Sequence, residues 1–146
     1  MPKTGKCLCG AVTWTIAADE LAGGVCHCAM CRAWTVGIFV SVEGKPDQVT
    51  LTGEDHIGRY ASSEWAERCF CKTCGSSLFY RVTAPGPYAG VYHFGAGGLA
   101  AWDGVSLDHE LYIDRKPEAY ALAGAGRKQM TEAEVMALFA PPEGGA

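Results

Sequence analysis

Apolar positions in this chain come in short runs that alternate with polar ones and are broken by glycine and proline, the period of strands rather than helices. Residues 11–17, AVTWTIA, are rich in β-branched and aromatic side chains and read as a strand. Ala22 to His27 reads as a second and Val36 to Val42 as a third, with QVTLTG and HIGRYAS following around the turn Gly53-Glu54-Asp55. Ala66 to Phe70 leads extended into a cysteine pair, and residues 76–82, SSLFYRV, lead out of it, as in a hairpin. Residues 90–95, GVYHFG, and Leu111 to Ile113 complete the set, while Cys28 to Thr35 reads as a loop. Strands spaced this way belong to a meander or a sandwich. A helical period shows clearly only near the end. Thr131 and Glu134 form a capping box ahead of Val135, Leu138 and Phe139, so a helix is expected over about 131–139. Pro141-Pro142 would stop it, and the EGGA tail is expected to be disordered.

Composition narrows the class. At 146 residues, with no internal repeat or linker, the chain is expected to form one domain, 1–146, with a core of its own. Nineteen glycines and seven prolines favour many short elements joined by turns over a helical bundle. Twelve basic against 16 acidic residues, without a basic run, argue against a nucleic-acid partner, which wants a positive patch. No apolar run approaches the ~18 residues of a membrane span. The segment MPKTGKCLCG lacks a signal peptide's apolar core, so a cytoplasmic protein without a membrane partner is expected. In a reducing compartment, clustered cysteines serve as ligands more readily than as disulfides.

Eight cysteines stand in three groups: CLC at Cys7 and Cys9, CHCAMC at Cys26, Cys28 and Cys31, and CFCKTC at Cys69, Cys71 and Cys74. Such spacings disfavour local disulfides, whose Cα atoms lie roughly 4.4–6.8 Å apart with a defined torsion. They suit a metal, zinc first, because a short loop turns two sulfurs toward one point about 2.3 Å away. Cys7 and Cys9, one residue apart on an extended segment, would point the same way and form half a site. Cys71 and Cys74 form a knuckle followed by Gly75, which supplies a permissive backbone, and they complete a closed four-sulfur site. Cys26, Cys28 and Cys31 then stand alone. Three protein ligands with a fourth position open is the pattern of catalytic zinc.

In their order, CLCGAV, CHCAMCR and FCKTCGSSLFY resemble the glutathione-dependent formaldehyde-activating enzyme family, whose domain is shared with centromere protein V. The segment LDHELYIDRKPEAY is similar to that family's C-terminal signature, so the likeness covers a core of about 5–122. The resemblance implies an all-β, sandwich-like fold and two zinc ions per chain. Cys7, Cys9, Cys71 and Cys74 would hold a structural ion, and Cys26, Cys28 and Cys31 a more labile, catalytic one. It also implies a carbon–sulfur lyase or synthase that joins a glutathione-like thiol to a small aldehyde. Two positions depart from the family's pattern: Cys69, where glycine is usual, and Ala33, where basic residues are common.

Three thiolates would leave a formal charge of −1 on Zn2+. Such a centre is a poor activator of water and suits a soft fourth ligand such as a substrate thiol. A different class of function, a non-catalytic zinc scaffold or thiol carrier, follows if Cys69 closes the middle site. A zinc ribbon pairing Cys28 and Cys31 with Cys71 and Cys74 is a third arrangement, but it leaves Cys7, Cys9 and Cys26 unexplained. Among other residues, His27 on an extended strand would point away from the sulfurs and take a core or ligand-supporting role. Arg32 either offsets thiolate charge or is a solvated side chain, and Arg68 and Lys72 read as surface residues. Trp34 is placed at a pocket mouth. Trp14, Trp65 and Trp102 read as packing residues.

Overall fold

The computed structural model describes residues 1–139. Eleven strands and two helices follow in order along them. The first half holds β1 (Lys3–Lys6), β2 (Thr13–Ile16), β3 (Leu21–Cys26), α1 (Ala29–Thr35), β4 (Phe39–Gly44), β5 (Val49–Thr52) and β6 (Ile57–Ala61). The second holds β7 (Ala66–Cys71), β8 (Ser77–Val82), β9 (Tyr92–Gly95), β10 (Val105–Leu111), β11 (Lys128–Met130) and α2 (Glu132–Phe139). The expected C-terminal helix is therefore present. The Pro141-Pro142 stop and the EGGA tail lie outside the described residues. Among the described residues, no helix is long and apolar enough to cross a membrane.

The chain divides into two compact units, the first being Met1–Gly23 with Val40–Ser106. In this unit β1, β2 and β5 pair antiparallel as one sheet. A second antiparallel layer runs β4, β9, β8, β7, β6. Their apolar faces meet in a sandwich. Trp14 of β2 stacks on Phe94 of β9 with ring centroids 4.3 Å apart, and Phe79 meets Phe94 edge-on at 5.3 Å. Val12, Ile16 and Val42 fill the same core, and so do Cys7, Cys69 and Cys71. The alternation that marked AVTWTIA is borne out, with Trp14 and Ile16 buried and Thr13 and Thr15 half-exposed. Trp102 departs from its expected packing role, being exposed.

The second unit holds Gly24–Phe39 and the chain from Leu107 onward. It differs from expectation in two places. Cys28 to Thr35 is a helical turn rather than a loop, because the Cys28 sulfur accepts from the Cys31 N–H at 3.3 Å and does the work of an N-cap. It ends at Val36, whose left-handed φ of 55° is uncommon for a β-branched side chain, and the following strand starts only at Phe39. The last expected strand is also displaced. Backbone pairing runs through Val105–Leu111, and Tyr112 turns left-handed at φ 56° instead of extending to Ile113. β11 then pairs with β10 in parallel. The capping box of α2 forms, with Glu134 N–H donating to Thr131 Oγ1 at 3.3 Å and Thr131 N–H to Glu134 Oε1 at 3.2 Å.

Candidate metal centres

In the first unit the ends of β1 and β7 bring four sulfurs together. β1 stops at Lys6, and Cys7 to Gly10 forms a tight turn closed by the Gly10 N–H on the Cys7 carbonyl at 3.2 Å. The pair is thus on a turn and not on the extended segment expected, yet both sulfurs still converge, at 3.6 Å. β7 ends at Cys71, and the knuckle beyond it closes when the Gly75 N–H donates to the Cys71 carbonyl at 2.8 Å. Gly75 holds φ at +81°, the left-handed region that a side chain would resist.

Cys9 and Cys71 lie 3.8 Å apart, and all four sulfurs of Cys7, Cys9, Cys71 and Cys74 fall within 4.8 Å of one another. Four sulfurs at about 2.3 Å from one tetrahedral centre stand about 3.8 Å apart, whereas a disulfide would bring a pair to about 2.05 Å. The donor set and its spacing therefore fit zinc. Backbone N–H groups are already aimed at the sulfurs, from Val12 to Cys7 at 3.4 Å and from Cys74 to Cys71 at 3.5 Å. Hydrogen bonds from the Ser76 hydroxyl and backbone bring the Cys74 thiol down to about 5. At Cys9 the Ala11 backbone acts in the same direction but is outweighed by desolvation and the neighbouring thiols, and the group rises to about 11.

In the second unit the sulfurs of Cys26, Cys28 and Cys31 also lie within 4.8 Å of one another, a second group that could hold a metal ion. β3 delivers Cys26, the turn Cys28, and α1 Cys31. Gly24 makes the approach possible, since a Cβ there would sit 2.2 Å from the His109 ring. Hydrogen bonds to Cys28 and Cys31, with burial, push the Cys26 thiol far up. Three crowded sulfurs do not ionise together without a cation.

Grouping of the sulfurs overturns the ribbon arrangement, since Cys71 and Cys74 join Cys7 and Cys9 and not Cys28 and Cys31. Cys69 belongs to neither group. It is fully buried in the sandwich core, accepts from Arg59 Nη1 at 3.6 Å, and is pushed up to about 12, chiefly by burial. Arg68 is buried rather than solvated, its guanidinium 5.0 Å from the Tyr80 ring centre. Trp34 is half-buried and edge-on to Phe39 at 5.3 Å.

What sequence reasoning missed is the set of groups beside the triad. Glu110, Tyr112 and Tyr120 all come from the LDHELYIDRKPEAY segment, whose family likeness was the only signal for them. His27 is buried and bonded through both ring nitrogens, to Glu110 and Tyr120. Burial raises the Tyr112 hydroxyl, and the charges of Cys28 and Cys26 raise it further.

The sequence profile described as glutathione-dependent formaldehyde-activating enzyme matches residues 2–115. A protein of Schizosaccharomyces pombe named an uncharacterized lyase is 33% identical over 127 residues, covering 82% of this chain and 84% of the relative. The crystal structure of a Rhodobacter sphaeroides protein shares the fold with a TM-score of 0.54 at 17% identity, covering 88% of this chain and 99% of that one.

Proposed function

Since the chain belongs to the glutathione-dependent formaldehyde-activating enzyme family, we propose that it is a zinc-dependent carbon–sulfur lyase or synthase, acting on a glutathione-like thiol and a small aldehyde. Cys7, Cys9, Cys71 and Cys74 hold a structural ion in this reading, and Cys26, Cys28 and Cys31 a reactive one. The observation that carries it is the inequality of the two groups: four sulfurs in one, three in the other. Bound to the triad, zinc supplies a soft electrophilic position at which a thiol is acidified. Cys26, Cys28 and Cys31 set the charge of that position, and three thiolates disfavour a hard hydroxide there.

The bond change is an addition. A sulfur–carbon bond forms at the carbonyl carbon, the carbon–oxygen π bond breaks, and the thiol proton ends on oxygen; the lyase direction reverses each step. Arg32, next to Cys31, spends its Nε on the His27 carbonyl at 3.1 Å, so it braces the turn.

Metal analysis with and without glutathione tests the reading, together with the rate at which the hydroxymethyl thioether is formed and broken. Two zinc ions per chain, a new sulfur ligand on one of them, and a rate above the uncatalysed condensation are expected. Two ions indifferent to every thiol offered would favour a closed scaffold instead.

A further inference from the structure

His27 lies between Cys26 and Cys28 in the sequence, and none of its surface is exposed. All four of its polar groups are engaged. Its N–H donates to the Leu111 carbonyl at 3.0 Å, and its own carbonyl accepts from Arg32 Nε at 3.1 Å. Nε2 lies 2.8 Å from Glu110 Oε1, and Nδ1 lies 2.9 Å from the Tyr120 hydroxyl. Glu110 is itself buried, and its other oxygen accepts from Arg127 Nε at 3.1 Å and Gln129 Nε2 at 3.4 Å. A carboxylate only accepts, so Nε2 donates to Glu110, while Nδ1 shares a hydrogen bond with the Tyr120 hydroxyl. Burial alone would raise the Glu110 carboxyl; the bonds from His27, Arg127 and Gln129 hold it below its ordinary range and keep it ionised.

The ring therefore cannot turn, and the peptide that carries it cannot shift, without breaking bonds on several sides. Arg32 extends the same bracing to α1, which carries Cys31. The turn, the helix and the end of β3 are all referred to one carboxylate on β10. A buried ionic network is weak evidence of stabilisation, because a well-packed apolar group would serve as well or better. Its attachment to the residue that links Cys26 to Cys28 in the chain assigns it another use.

We propose that Glu110 is a positioning residue for the sulfur triad, fixing through His27 where Cys26 and Cys28 stand relative to Cys31 and so setting how tightly the triad holds its ion. The inference rests on the proposed metal role of the triad and adds the residue that governs it. Tyr120 supports the other ring nitrogen through a single hydrogen bond with an uncharged hydroxyl, and its removal is the milder perturbation.

The test uses the full chain loaded with Co2+, whose sulfur-to-metal charge-transfer and d–d bands report each cluster, with affinities from chelator competition. Wild type is expected to take two ions. Glu110→Gln keeps the ion of the outer cluster at wild-type affinity and loses about 10–100-fold in affinity at the triad, with altered d–d bands. Tyr120→Phe moves the triad in the same direction by a smaller factor. Wild-type triad affinity and spectrum in both variants would overturn the inference, whatever happens to their melting temperatures. Should Glu110→Gln fail to fold, Tyr120→Phe decides, and an unchanged triad there is the refuting result. A wild-type chain that takes only one ion sinks the metal reading of the triad and this inference together. Two ions held equally by all three proteins sinks this inference alone.

Discussion

Cys71→Ser tests the proposal that the outer cluster is structural and the triad reactive. Cys9 and Cys71 are 62 positions apart in sequence, so an ion between them closes a long loop. The cross-link relation for a loop of that length gives about 4 kcal/mol of unfolded-state entropy removed. The Cys71 side chain is fully buried, and a serine hydroxyl left there without a partner costs a further ~1–3 kcal/mol. The sum, about 5–7 kcal/mol, is comparable to the whole stability of a typical domain, ~5–15 kcal/mol. At roughly 3 °C per kcal/mol for a chain of this size, a fall on the order of 15 °C or outright unfolding is expected. Cys28→Ser is the control. Its cluster spans only Cys26 to Cys31, and serine is itself a good N-cap for α1, so the variant loses activity and the triad's ion but melts within a few degrees of wild type. Circular-dichroism melting of the metal-loaded proteins, with and without chelator, makes the comparison. A Cys71→Ser protein that melts like wild type, or a Cys28→Ser protein that falls further, refutes the division of roles.

Other predictions are simpler. Trp14→Ala removes the ring stacked on Phe94 and should cost ~3–5 kcal/mol in urea titration; an unmoved midpoint would show that the two sheets do not depend on it. Cys69, pushed up to about 12 in the core, should stay unmodified when the folded protein is treated with iodoacetamide at pH 8, and mass spectrometry of peptides would reveal otherwise. Glu110 has its folded pKa depressed, so its contribution is fully present above the ordinary carboxyl value of ~4.3 and is lost as pH falls through the lower folded value. The stability gap between wild type and Glu110→Gln should therefore narrow on acidification toward pH 3, and a gap constant with pH would contradict the ionised buried carboxylate.

Local features were the legible ones. The sulfur grouping could be read because knuckle partners sit within three residues of each other, and Gly75 because a left-handed turn has a residue type of its own. A strand with one buried face, such as β2, announced itself by alternation. β1 (KTGK) and β11 (KQM) did not, being short and largely polar, and parallel pairing with β10 is a tertiary choice that no local pattern encodes. α1 was missed because its cap is a cysteine sulfur, where the usual signal is serine, threonine or aspartate. The bracing of His27 was illegible for a plainer reason: Glu110 lies 83 positions away and Tyr120 93.

The separation between the two halves of the four-sulfur knot has a meaning during synthesis. At ~5–20 residues per second, the ribosome needs about 3–12 s after making Cys9 before Cys71 follows. Through that interval the first pair is an unfinished chelate, open to oxidants and to adventitious ions. The triad, encoded within a single stretch of CHCAMC, has all its sulfurs almost at once. The nascent chain thus has one cysteine group whose sulfurs are complete early and one that waits for the second half of the sandwich.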